Sequence, residues 1–183
     1  MASKQPFIFL ALALVLLVGW QCFYIVDQTE KAIKLRFGKS VSEESIGPGL
    51  HFKFPLGVDS IRSYDIRILT YDAAPTEIVT EDKKNLVVDY YTKWKIVDPL
   101  AFYLKLGTIP NAQGRLDEIV SGQLREALGR FELMEIVSEE RVMIMEEVRA
   151  NSSSSLSVDG LEVVDVRIKR TDLPKQNQEA IYD

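Results

Sequence analysis

The chain has 183 residues, with 22 Lys and Arg against 27 Asp and Glu, a formal net charge of −5. An acidic chain without a basic face is a poor ligand for nucleic acid, so no nucleic-acid partner is expected. One cysteine and one histidine exclude an intrachain disulfide and any thiolate or multi-histidine metal cluster.

The first element is an apolar run over residues 7–26, with no charged side chain and with Gln21 as its only strongly polar one. About 20 residues of helix rise roughly 30 Å, the thickness of a bilayer's hydrocarbon core. A cleaved signal peptide has a shorter apolar stretch and a small-x-small site. Gly19-Trp20-Gln21-Cys22-Phe23 supplies no such site. The run therefore predicts an uncleaved anchor over residues 1–26, with the lipid bilayer as partner. Trp20, Phe23 and Tyr24 fit an aromatic belt at its far end. Lys31, Lys34, Arg36 and Lys39 outnumber Lys4, which by count alone places the following domain in the cytoplasm. That count loses force ahead of a long domain, so the sidedness stays open.

Residues 27–172 read as a single domain, with the apolar content for a core. Ile33, Leu35 and Phe37 alternate with Lys34 and Arg36, the pattern of a half-buried strand. Gly47-Pro48-Gly49 is a turn. Leu50, Phe52 and Phe54 then alternate with His51 and Lys53. Residues 61–71 read as another strand. Residues 86–97 give the strongest one, with Leu86, Val88, Tyr90, Thr92, Trp94 and Ile96 on one face. After Asp98-Pro99 the period changes. Residues 100–106 suit a short helix. Leu116, Ile119, Val120, Leu124, Leu128 and Phe131 fall at helical spacing. Ser138 followed by two glutamates suits the cap of a second helix running to about residue 150. Residues 151–155 read as a polar loop, and residues 161–169 return to alternation. Asp172-Leu173-Pro174 suits the start of a further helix over residues 173–183. The fold class is α+β: an N-terminal membrane helix, a strand-rich lobe, two helices, a returning strand and the beginning of a C-terminal helix.

No residue pattern amounts to a catalytic site. Gly38-Lys39-Ser40 resembles the end of a phosphate-binding loop, but the glycine that loop needs five positions earlier is Ile33. His51 has neither a second imidazole for a zinc site nor a nucleophile elbow to serve. Cys22 lies in the apolar run, where a thiol is inert. No catalytic, cofactor-binding or metal residue is assigned, and no enzyme activity or cofactor is expected.

Several segments, in order, resemble the SPFH (band 7) family, the group of stomatins, prohibitins, flotillins and the HflK/HflC proteins. They are residues 29–39 directly after the anchor, the turn Gly47-Pro48-Gly49-Leu50-His51-Phe52-Lys53-Phe54-Pro55, residues 64–67, 79–84, 88–99 and 124–130. Residues 160–170 with Leu173-Pro174 and residues 179–182 are closest to the HflK/HflC branch. The resemblance covers nearly the whole chain. It implies a bacterial inner-membrane protein whose SPFH domain is periplasmic. It also implies a partner subunit, HflK, and a closed ring of SPFH subunits around the membrane AAA+ protease FtsH, which the chain would modulate without being a protease. The alternatives are a stomatin-like organiser of membrane microdomains or channels, or an anchored hydrolase with a site of unfamiliar form. Family members run on into a long helical region, of which residues 173–183 resemble only the start.

Two groups of residues are candidate contact sites. Leu50, Phe52, Phe54 and Leu56 would ordinarily face a core. The alternative is that this strand tip dips into the lipid beside the anchor, as Pro55-Leu56-Gly57 and the family's association with membranes suggest. Arg125, Arg130, Arg141 and Arg149, among many glutamates on the helix pair, are candidate oligomer contacts, since a ring needs repeated head-to-tail contacts.

Overall fold

The computed structural model describes residues 22–40, 45–54, 57–138 and 140–172, in two compact units divided at Ile66 and Arg67. Among these residues no helix is long and apolar enough to cross a membrane. Most of the expected anchor, and the helix expected after residue 172, lie outside the described residues.

The first unit is built of short strands: β1 (Phe23–Val26), β2 (Glu30–Arg36), β3 (Lys39–Ser40), β4 (Gly49–Phe52) and β5 (Asp59–Asp65). β1 and β4 form a two-stranded antiparallel ribbon, and β2 is the centre of a sheet ordered β3-β2-β5. The end of the expected anchor is thus corrected. Residues 23–26 are a strand, because their backbone groups are paired with β4 and cannot also continue a helix. Ile33 and Leu35 of β2 are buried, as the alternation suggests, and so is Ala32 on the other face, but Phe37 is 80 % exposed. β2 ends at Arg36, and Phe37 (φ 49°) and Gly38 (φ 79°) form the two-residue turn into β3. Two successive left-handed residues suit a tight hairpin.

The second unit is a helix-backed sheet of β6 (Leu69–Asp72), β7 (Thr76–Val79), β8 (Asn85–Ile96) and β9 (Leu161–Asp172). β7 pairs with residues 85–88 of β8 and β6 with residues 91–94, while β9 spans both stretches. β6 and β7 therefore share one edge of β8 and β9 takes the other. All six residues of the predicted inner face of β8 are at most 2 % exposed. Four helices follow: α1 (Pro99–Lys105), α2 (Ile109–Leu128), α3 (Leu133–Val137) and α4 (Arg141–Ser157). α2 buries Ala112, Leu116, Val120 and Leu124, and α4 packs on both α2 and β9. Asp98 caps α1 by accepting from Leu100 and Ala101 N–H, and Thr108 caps α2.

Three further expectations are corrected. Residues 61–71 are two strands, β5 and β6, one in each unit, so a single run of alternation spans the boundary. Ser138 ends α3, its hydroxyl donating to the Glu135 carbonyl, and the N-cap position of α4 is Glu140, whose N–H donates to Ser138 Oγ at 3.4 Å. Residues 151–155 are helix. Ser152 and Leu156 are wholly buried and extend the apolar face of Met145 and Val148, which holds α4 on the sheet through its serines. Ser155 and Ser157 turn their hydroxyls back to the carbonyls of Asn151 and Ser154, so the polar composition is absorbed within the helix itself.

Gly160 closes the turn from α4 into β9. Its φ is +77°, and a Cβ there would lie 2.3 Å from the Asp98 carbonyl oxygen. Its own carbonyl accepts from the Val97 and Asp98 N–H groups, joining the end of β8 to the start of β9.

Candidate functional site: an exposed aromatic ribbon

The β1–β4 register pairs Phe23 with Phe52, Tyr24 with His51 and Ile25 with Leu50. Alternation then places Phe23, Ile25, Leu50 and Phe52 on one face of the ribbon. Among the described residues that face is uncovered: the four are 57, 79, 66 and 50 % exposed, and Phe54 just beyond is 49 % exposed. The core reading of Leu50, Phe52 and Phe54 is therefore overturned, while Leu56 lies outside the described residues. The rings organise one another. Phe23 meets Phe52 edge to face at 6.0 Å, and Phe52 meets Phe54 likewise at 5.7 Å. On the opposite face the His51 ring lies 5.6 Å from that of Tyr24, and its Nε2 is 2.9 Å from the Gly47 carbonyl oxygen. His51 thus has a structural place.

A clasp of charged groups fixes the ribbon's free end. Asp59, 5 % exposed, accepts from Arg36 Nε at 2.8 Å and from the Phe54 N–H at 3.0 Å. Arg36 in turn lies over the Phe54 ring, 4.9 Å from its centroid. Lys34 Nζ donates to the Phe52 carbonyl at 2.9 Å. The Arg36 hydrogen bond, then that from Phe54, holds the Asp59 carboxyl below its ordinary value of 3.8. Nothing in the sequence announces this clasp, because Arg36 and Asp59 are 23 positions apart and neither stands in a motif.

The four candidate arginines are not brought together into one site. Arg130 is ion-paired with Glu147, and Arg149 holds Glu146 one turn away through two nitrogens. Arg141 Nη2 donates to the Ile168 carbonyl of β9. Arg125 is exposed on α2. A second charged cluster that sequence reasoning misses is at the α4–β9 turn. There Asp159, 7 % exposed, meets Lys105 at 3.4 Å and Arg115 at 3.3 Å. Inside the second unit, Tyr90 donates to Asp117 at 3.1 Å, and burial first, then Asp117, pushes its phenol well above the ordinary range. These are ties within the fold; none combines a nucleophile, a base and an open cleft.

The described residues form a short-stranded lobe followed by a helix-backed sheet, with an exposed apolar ribbon at the start of the lobe. The SPFH domain / Band 7 family profile matches residues 24–183, and the chain belongs to that family. Among curated relatives, the "Modulator of FtsH protease HflC" of Escherichia coli (strain K12) is 33 % identical, with 93 % of this chain aligned to 64 % of that protein. "Protein HflC" of Haemophilus influenzae is 38 % identical, over 97 % of this chain and 62 % of that protein. "Protein HflC" of Buchnera aphidicola subsp. Acyrthosiphon pisum is 35 % identical, over 88 % of this chain and 58 % of that protein. The chain thus spans about three-fifths of the length of the curated relatives it matches.

Proposed function

We propose that this chain is the anchor and SPFH portion of a regulatory membrane subunit that modulates a membrane AAA+ protease of the FtsH kind. It would act with a homologous subunit of the HflK kind in a ring and catalyse no reaction itself. The observation that carries the reading is the match to HflC proteins along 88–97 % of the chain. In this reading the protein belongs to a bacterial inner membrane, with the SPFH domain on the periplasmic side, and needs no cofactor. Residues 27–172 form the SPFH domain, and residues 173–183 begin the long helix that supplies most of the assembly energy along its apolar seam. Copurification from mildly solubilised membranes tests it: a protease of the FtsH kind and an SPFH partner are expected together, and deletion should alter turnover of the protease's membrane substrates. Recovery of lipid or channel partners without the protease would favour the stomatin-like organiser.

The ribbon has a proposed role in the same reading. With a strand beginning at Phe23 and the Cys22 carbonyl accepting from Lys53 N–H, at most residues 7–21 of the expected run remain to cross, about 22 Å if helical and shorter than a hydrocarbon core of about 30 Å. The exposed face of Phe23, Ile25, Leu50 and Phe52, with Phe54 just beyond it, then seats in the interfacial layer, and Leu56 is proposed to make the same contact. Aromatic side chains are favoured there. A spin label at Leu50 is expected to be shielded from aqueous relaxant in the membrane-inserted chain, and a fully aqueous signal would exclude this placement.

A further inference from the structure

We propose that the Cys22 end of the first unit binds the phosphate headgroups of anionic phospholipids, through a rim of cations around the aromatic ribbon. The inference rests on the seating of the ribbon in lipid proposed above. The strand register sorts the charges of this unit by sign. β1 runs away from Cys22, and β2 returns from the turn at Asp27, bringing Lys34 to the Phe52 carbonyl and Arg36 to the Phe54 ring. From Glu30 to Arg36 the strand spans about 20 Å. At its far end Glu30 stands opposite Asp65, with Asp27 in the adjoining turn and Lys31 beside them. At the Cys22 end the sign reverses, and Lys34, Arg36, Lys39 and Lys53 gather. Lys39 is opposite Arg36 across the hairpin, and Lys53 N–H donates to the Cys22 carbonyl. Among the described residues the acid at this end is Asp59, which is buried and already held by Arg36. Arg62 stands midway, opposite Ile33.

Aromatic rings are interleaved with these cations. Phe37, between Arg36 and Lys39, sits in the left-handed region at φ 49° and is largely exposed, a strained backbone with no buried packing to account for it. Its N–H donates to the Val58 carbonyl, beside Asp59, which sets the hairpin tip at the Phe54 end of the ribbon. Rings favour the interfacial layer, and cations beside them add attraction only where the headgroups carry net negative charge. Position selects lipid as the occupant. Cys22 directly follows the run expected to cross the membrane, so this end of the unit meets headgroups first once that run is inserted. The cations divide the work. Lys34 and Arg36 also hold the ribbon in shape, whereas Lys39 and Lys53 take part in no ion pair among the described residues and are the ones open to a phosphate.

Lipid selectivity of the full chain tests the proposal. The chain is reconstituted in phosphatidylcholine vesicles containing a trace of spin-labelled phosphatidylglycerol or of spin-labelled phosphatidylcholine. The motionally restricted share of each lipid is read by electron paramagnetic resonance. Phosphatidylglycerol should be favoured about fivefold at low salt, the size expected of a single lysine contact, and the preference should fade as salt is raised. Lys39→Gln/Lys53→Gln should abolish the preference, Lys39→Arg/Lys53→Arg should keep it, and neither should move the thermal unfolding midpoint. Lys4 is present in every sample, so a preference owed to it would survive in the Gln variant and overturn the proposal. A spin label at Leu50 in parallel vesicles separates the two readings. Leu50 shielded with both lipids restricted alike would overturn the headgroup site and leave the seated ribbon standing. Leu50 in water would overturn both.

Discussion

The β1–β4 ribbon and the central strand β8 carry the same alternating code and meet opposite fates. On β8 the apolar face from Leu86 to Ile96 is sealed beneath helices. On the ribbon the apolar face of Phe23, Ile25, Leu50 and Phe52 has no cover among the described residues, and it is held in shape by charged groups behind it. Alternation thus reports that a strand has an apolar side, not what covers that side. A protein layer is one cover, and a membrane or a partner is another.

That contrast predicts which changes the fold will feel. Trp94→Ala, in the sealed face, should cost about 3–5 kcal/mol and abolish cooperative unfolding of the second unit in a denaturant titration. Gly160→Ala should cost about 1–3 kcal/mol, because it forces a side chain into a left-handed turn against the Asp98 carbonyl. Asp59→Asn addresses the clasp. Its folded carboxyl lies below the ordinary 3.8, so its contribution is complete above that value and is lost as pH falls through the lower folded value. Acid unfolding of the wild type should therefore steepen below about pH 4, and the Asn variant should start weaker at neutral pH and lose less on acidification. Ser152→Ala should be neutral or stabilise by up to about 1 kcal/mol, since its buried hydroxyl meets no partner among the described residues. Smallest of all, Leu50→Ser should leave stability within about 0.5 kcal/mol while moving the ribbon's depth in lipid. A large loss of stability there would mean that the ribbon is core after all.

What was legible in the sequence was the periodic part. The inner face of β8, the buried stripe of α2 from Leu116 to Leu128 and the returning strand β9 all follow from spacing. The family resemblance rested on the order of short segments, and the profile match bears it out. What failed were places where tertiary context decides. Serine-rich residues 151–155 are helix because their neighbours Val148 and Leu156 are buried on either side. The long run from Ile61 concealed a division between two units, since alternation carries no mark of which sheet a strand joins. Of the candidate site, the residues of the ribbon were legible and their exposure was not. The arginines were visible as charge, but Glu146, Glu147 and the Ile168 carbonyl that engage three of them became apparent only in three dimensions.

The pairing of β8 with β9 also sets an order in time. The two strands are neighbours in the sheet, yet all four helices lie between them in the chain. During synthesis β8 emerges with its far edge open, and it stays open until α1 to α4 and then β9 have been made. Such non-local closure is slow, and an open edge is prone to foreign pairing. The first unit needs no such wait, because its strands are complete before Ile66. The first unit can therefore mature while the rest is still being made, and a nascent chain halted before Leu161 would present the cell with a finished ribbon and an unfinished sheet.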